Sequence, residues 1–429
     1  MIEVLFVSIV VLFSFSAKRK NIILLLVFLL PFNDFIKKIF VLYGSGGNVF
    51  SFWKELAILI LFLRSYKFIE KRLLNRLLLI YLCLCIIVGI YYFIGLQYFN
   101  ASICFRTARN VLILPLLFVS LNGLVVNISL IRKIVLLLSI STLLISLIGI
   151  WEIHMGGRIP LRLFMGNITD NNTYSAPNFT MMGIDRMCSI MTVPNSFGYL
   201  MAFHASFLLY IFLYMKDLFS KIEIYILYTL FLVTVFCLLE SFCRTGWFLF
   251  VFSYFISLYY INRKVFISRI IIFIIIGLCI LSIAYVLSPD IETIVNSTFS
   301  GNEVSASDRS NNLSNGFSFI FENPFGHGLG SSDNSTDNYV YFAESTFVNL
   351  SVEIGIIGSV FYIFSLFFFL SMMRKTDSAF TPFSVAIMSA NMISIIPTNV
   401  YVTPYSYFVF IFSGLALMKD HCLEVKLKK

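Results

Sequence analysis

Apolar runs of roughly membrane-crossing length recur along the chain, separated by short polar breaks and by two long polar stretches. A predominantly apolar run of about 18 residues or more predicts a transmembrane helix. The pattern predicts spans at 2–17, 21–36, 54–70, 75–95, 108–127, 132–151, 191–214, 221–240, 245–261, 265–288, 345–372, 379–398 and 400–418, which is 13, plus or minus one. The first two are short and read equally as one tilted hairpin or a partly interfacial pair. The start of the chain carries no signal-peptide cleavage pattern, so the first apolar segment is expected to remain as a helix. The fold class this predicts is an all-α polytopic membrane protein with 12–14 transmembrane helices, forming a single membrane domain over 1–429. Two long loops, 152–190 and 289–344, interrupt it, the second expected to contain short helices.

Charge orients the pattern. Short loops on alternate sides of the spans hold Lys18, Arg19, Lys20, Arg64, Lys67, Lys71, Arg72, Arg76, Arg132, Lys133, Lys216, Lys221, Arg263, Lys264, Arg269, Arg374, Lys375, Lys419, Lys426, Lys428 and Lys429, 21 of the 31 cations. By the positive-inside rule these loops are cytoplasmic. The long loops then face outward, the C-terminus lies inside, and an odd span count puts the N-terminus outside. The net charge of +9 follows from these flanks and is no sign of nucleic acid. Seven of the ten remaining cations are arginine: Arg106, Arg109, Arg158, Arg162, Arg186, Arg244 and Arg309. Topology accepts Lys or Arg alike, whereas bidentate recognition of phosphate or carboxylate favours Arg. An arginine-rich outer face therefore reads as an anion site, although any single arginine is equally explained as a helix-end cap or a snorkelling side chain.

Three constellations carry candidate chemistry. In loop 152–190, Arg158 and Arg162 are four apart and share a face if that piece is helical; Arg186 then precedes Pro194-Asn195 and Gly198, a helix start suited to an anion. Glu240-Ser-Phe-Cys-Arg244-Thr245-Gly246 is a very short outer turn that puts Arg244 near membrane depth, where an ionisable residue is a functional candidate. From Asp290 to Glu344 there are eight carboxylates and one cation, Arg309. There Ser305-Ala-Ser-Asp308-Arg309-Ser310 leads into a short amphipathic helix, then Asn323-Pro-Phe-Gly326-His327-Gly328-Leu-Gly330. Three glycines in five positions permit a tight turn at φ > 0; His327 inside it reads as structural or as a base. Glu344 opens the next helix, ahead of Asn349, Glu353 and Gly355-Ile-Ile-Gly358. A carboxylate there is favoured by the helix dipole by about 0.3–1 kcal/mol, and equally suits a general base. No DxD-like or HExxH spacing occurs, so neither a metal nor another cofactor is expected, and the eight cysteines have no ligand spacing.

Together these pieces resemble the O-antigen polymerase (Wzy) branch of the O-antigen ligase/polymerase superfamily. The resemblance rests on Arg186 with Pro194-Asn195 and Gly198, Arg244-Thr245-Gly246, Ser307-Asp308-Arg309-Ser310, Asn323-Pro-Phe-Gly326-His-Gly328-Leu-Gly330, and Glu344-Ser345 ahead of Gly355-Ile-Ile-Gly358. It covers roughly residues 150–370 and implies a GT-C-like, metal-independent, inverting glycosyltransferase of the bacterial inner membrane, acting at its periplasmic face. The implied donor and acceptor are undecaprenyl-diphosphate-linked oligosaccharides within membrane lipid, with a chain-length regulator protein as a further partner. In this reading Arg186, Arg244 and Arg309 meet the departing diphosphate and Glu344 deprotonates the acceptor hydroxyl. Arg106, Arg158, Arg162, Asn195, His327 and Asn349 line the substrate path. Ligases of the superfamily usually carry His-Asn where this chain has Glu344-Ser345, which favours polymerase over a ligase acting on lipid A–core. The remaining alternative, a flippase or transporter of the lipid-linked sugar, predicts charges buried mid-span and gating loops on both faces; here mid-span charges are nearly absent and both long loops share a side.

Overall fold

The computed structural model describes residues 2–43, 49–68, 71–121, 125–166, 179–181, 184–261, 304–334, 339–399, 403–417 and 419–420, with scattered positions between 262 and 303. The side chains of 71–74 and 304–309 lie outside the description. The predicted span 265–288 falls mostly outside the described residues.

The chain is an all-α polytopic membrane protein. Its helices are α1 (Ile2–Ser16), α2 (Arg19–Leu29), α3 (Asn33–Leu42), α4 (Trp53–Ser65), α5 (Lys71–Gly95), α6 (Ala101–Ser120), α7 (Ile128–His154) and α8 (Arg158–Met165), then α9 (Pro194–Tyr210), α10 (Lys221–Glu240), α11 (Arg244–Ile261), α12 (Val304–Glu322), α13 (Thr346–Met373), α14 (Thr381–Ser394) and α15 (Pro404–Ala416). Among the described residues six segments are long and apolar enough to cross a membrane: Asn75–Gly95, Ala101–Ser120, Ile128–His154, Pro194–Leu218, Lys221–Glu240 and Thr346–Met373. α1 and α15 are apolar but shorter.

Two departures from the hydrophobic pattern have clear causes. The segment 21–36 is not one helix: Pro31 lies in a 3-10 turn, Leu30–Phe32, which separates α2 from α3, because proline has no N–H for the helical ladder. α6 starts seven residues before the predicted 108. Asn100 caps it, its side chain accepting from Ser102 N at 2.9 Å, which satisfies a free first-turn amide. Arg106 therefore sits within α6 and not ahead of it, while Arg109, inside the predicted span, faces Glu55 of α4 at 3.5 Å.

Polar contacts separate the two ends of the bundle. At one end Arg64 donates to the carbonyls of Ser14, at 2.7 Å, and Ala17. Arg132 meets Glu223 at 2.9 Å, and Val125–Val126 pairs in parallel with Lys419–Asp420. Elsewhere the segment 323–330 packs on the end of α5, with Leu329 N donating to Tyr91 O at 3.0 Å. Between the ends, α9 runs deep in the core, with Phe203 stacked on Phe408 of α15 at 4.9 Å. α9 and α11 approach closely because both have glycine at the contact. A Cβ at Gly246 would lie 2.9 Å from the Gly198 carbonyl, and one at Gly198 would collide with Cys243. Small residues serve this purpose generally where membrane helices cross. The crossing brings Asn195 and Arg244, at the starts of the two helices, to the same neighbourhood.

Candidate active site

α13 is broken. Ile354 (φ −116°, ψ 15°) and Gly355 (φ 70°, ψ 169°) leave the helical region, so a first segment up to Glu353 is followed by a second that runs on to Met373. Gly355 occupies a region of backbone space essentially closed to other residues, and a Cβ there would meet Tyr91 Oη at 2.8 Å and Phe325 O at 2.9 Å. Such a break inside a membrane needs its exposed N–H and C=O groups satisfied by protein. The segment 323–330 does this. His327 N donates to Val352 O at 2.7 Å, Gly328 N to Glu353 O at 3.1 Å, and Pro324 O accepts from Ile356 N at 2.9 Å. Gly326, Gly328 and Gly330 all have positive φ, as the spacing predicts. The turn is anchored on α5 and α6, with Leu329 N donating to Tyr91 O at 3.0 Å and Cys104 Sγ to Leu329 O at 3.2 Å.

Beside the break lies a cavity of about 230 Å3, lined by Arg106, Thr107, Asn110 and Val111 of α6, by Ser332, Asp333, Asn334, Phe342 and Asn399, and by Thr346, Asn349, Leu350 and Glu353 of α13. Arg106 is paired with Asp333. Glu353 is only 5% exposed, and its Oε1 accepts from Ser332 Oγ at 2.7 Å. Asn349 clamps the segment ahead of α13: its amide nitrogen donates to Ala343 O and its oxygen accepts from Ala343 N, both at 2.9 Å. Ser345 caps α13 by accepting from Val348 N at 3.2 Å. Glu344, held between Ala343 and Ser345, is part-exposed and lies in a small recess with Asn312, Leu313 and Pro397. Asn349 thus joins the cavity to the segment that carries Glu344.

A second group is built on arginines that hold backbone. Arg186 Nε donates to Ser241 O at 3.0 Å, and its Nη2 donates to Asn195 Oδ1 at 2.7 Å and to Phe242 O at 3.4 Å. Phe242 has φ 46°, an uncommon conformation for a bulky residue. Arg186 therefore fixes the strained turn immediately before Arg244, and fixes Asn195 as well. Arg162 does the same for Ser189 (φ 51°), donating to the carbonyls of Ser189 and, at 3.1 Å, Met191. It also pairs at 2.9 Å with Glu152, the two side chains being 0% and 1% exposed. Glu152 in turn accepts from Cys188 N at 3.0 Å and Ser189 N at 2.5 Å. Removing one partner of such a buried pair costs about 3–5 kcal/mol, so Arg162 is a strut of the fold. Arg158, on the same helix α8, pairs with Asp185 at 2.6 Å and donates to Phe179 O at 3.2 Å. Burial pushes the Cys188 thiol up to about 12, which leaves it protonated and unreactive.

The sequence candidates thus fall into two sets. Arg106 and Asn349 meet at the cavity, with Glu344 adjoining through Asn349; Arg158, Arg162, Arg186, Asn195 and Arg244 gather around the turns 186–193 and 241–243. His327 belongs to neither. Its ring lies 5.6 Å from that of Phe319 on α12, it is absent from the cavity lining, and its Nε2 is buried with no hydrogen-bond partner. The backbone places Arg309 early in α12, but its side chain lies outside the described residues. Glu152 and Asn110 are not singled out by the sequence, and Asp333 and Glu353, though among its noted carboxylates, carry no site role there. A carboxylate within an apolar run was the available signal for Glu353. No group of three or more His, Cys, Asp or Glu side chains gathers among the described residues.

A multi-pass helical membrane protein with a polar cavity beside a broken helix, and with a separate arginine-built knot, is the class these observations define. Residues 229–363 match the family described as O-antigen ligase. The matched stretch runs from α10 into α13, so it contains Arg244, Arg309, His327, Glu344, Asn349 and Glu353. In it the chain is similar to the O-antigen ligase and polymerase enzymes. No curated protein matches the chain.

Proposed function

We propose that the protein is an O-antigen polymerase, a metal-independent, inverting glycosyltransferase of the bacterial inner membrane. It joins undecaprenyl-diphosphate-linked repeat units at the periplasmic face. The growing chain on its carrier lipid is the donor, and one lipid-linked unit is the acceptor. Inversion follows from direct attack of the acceptor hydroxyl on the anomeric carbon, opposite the departing diphosphate. That leaving group departs as an anion and needs fixed cations where its charge develops. Arg244 and Arg309 supply them, and Arg186 holds the turn that presents Arg244. Glu344 takes the hydroxyl proton, its backbone steadied by the Asn349 clamp on Ala343. A chain-length regulator protein is a further partner.

The observation that carries this reading is the family match across 229–363, which takes in both Arg244 and Glu344. The polymerase assignment within it rests on Glu344-Ser345 standing where ligases usually carry His-Asn. A ligase acting on lipid A–core is the second reading, favoured by the description of the matching family itself. The test is reconstitution of the purified full-length protein with lipid-linked repeat units alone, in excess chelator. A ladder of polymers still on the lipid carrier is expected. Polymer transfer that appears only when lipid A–core is added supports the ligase, and activity restored only by Mg²⁺ overturns the metal-free chemistry.

A further inference from the structure

Resting on the transferase reading above, we infer that the cavity between α6 and the first segment of α13 binds one neutral sugar ring of the lipid-linked oligosaccharide. At about 230 Å3 it is smaller than the ~300–1,000 Å3 of sites that enclose drug-sized ligands. It holds a single ring, with the rest of the oligosaccharide outside. Thr346, Asn349, Leu350 and Glu353 recur at intervals that stack them on one face of the helix, and that face lines the cavity. Glu353 forms one end of this stripe, held in place by Ser332 Oγ at 2.7 Å and by backbone amides of the same loop.

The lining has the chemistry of a sugar site. A sugar ring presents vicinal hydroxyls along its edge and C–H groups on its face. Planar amides and carboxylates each offer two adjacent polar atoms to such hydroxyls. Asn110, Asn399, Asp333 and Glu353 provide these, and Phe342 provides an apolar surface. Asn110 lines the cavity from α6, opposite the α13 stripe. The charge balance selects the kind of sugar. The cation in the lining, Arg106, is already paired with Asp333, and Glu353 adds a second carboxyl group. A ring bearing its own carboxylate meets no spare counter-charge in this lining, so hexoses and N-acetylhexosamines are accepted and uronic acids rejected.

The experiment is saturation-transfer NMR on the purified full-length protein in detergent, using the methyl glycosides of glucose, galactose, N-acetylglucosamine and glucuronic acid as probes. Signal from at least one neutral glycoside is expected, falling by at least about fivefold in Asn110→Leu and in Asn399→Leu, with little from methyl glucuronide. Asn399 is exposed, so its substitution leaves the fold in place, and thermal melts check both variants. Absence of any neutral-glycoside signal in the wild type overturns the proposal. So does signal unchanged in both variants, or a strongest response from methyl glucuronide. The readout needs no turnover. Protein that binds glycosides but fails to extend lipid-linked chains rejects the transferase reading and keeps the subsite; protein that extends chains without binding them rejects the subsite alone.

Discussion

Arg244→Ala is expected to lower chain extension by about 10²–10³-fold, the usual cost of removing one preorganised partner of a developing anion, with the protein still present in the membrane at normal abundance. The turn that carries Arg244 has supports besides its side chain. Arg186 holds Ser241 O and Phe242 O from one side, and the glycines at 198 and 246 let α9 and α11 close on each other. Loss of the guanidinium therefore subtracts charge and hydrogen bonds without collapsing the turn. Arg244→Lys separates charge from geometry: an ammonium keeps the positive charge but lacks the planar fork that grips two phosphate oxygens, so this variant is impaired as well. Extension assayed in isolated membranes, normalised to protein level by immunoblot, measures both. Normal extension by Arg244→Lys reduces the role of Arg244 to point charge; normal extension by Arg244→Ala removes it from the site.

Glu344→Gln has the second large effect, a loss of about 10²–10⁴-fold, the range for a positioned general base. The substitution preserves shape. Ala343 remains clamped by Asn349 through two hydrogen bonds and Ser345 still caps α13, so the glutamine is presented where the carboxylate was. The loss is expected in kcat, because the acceptor hydroxyl still has a hydrogen-bonding partner in the ground state. Wild-type kcat in Glu344→Gln assigns the proton to another acceptor, and Glu353, buried across the Asn349 face of the same helix, is the next group to substitute.

The all-α, multi-pass class was legible from the sequence because it depends on the length of apolar runs, and a run too apolar for water leaves few alternatives. The start of α6 was not, because Arg106 and Arg109 dilute the apolar signal over its first turns while Asn100 supplies the true start. The break in α13 was hidden for the opposite reason. Val352 to Ile357 is apolar on both sides of Glu353 and Gly355, so the hydropathy pattern runs through a point where the backbone turns aside. The glycines at 326, 328 and 330 announced a turn, yet nothing local revealed that its partner would be the exposed ends of a broken helix more than twenty residues on. The arginines mark a different limit. Arg162, Arg186 and Arg244 look alike as outer cations, but Arg162 and Arg186 donate to carbonyls of strained turns. An arginine that braces a backbone has the same sequence signature as one that would face a ligand; for Arg162 and Arg186 the acceptors identify the brace.

The electrophoretic pattern of lipopolysaccharide from a strain lacking this protein tests the polymerase assignment most directly. A polymerase acts after the repeat unit is made and exported, and ahead of transfer to the core by a separate ligase. Its loss therefore predicts core capped by a single repeat unit, with the long ladder restored by the wild-type protein and by neither Arg244→Ala nor Glu344→Gln. Core bearing no repeat unit at all, the pattern of a missing ligase or flippase, contradicts the account.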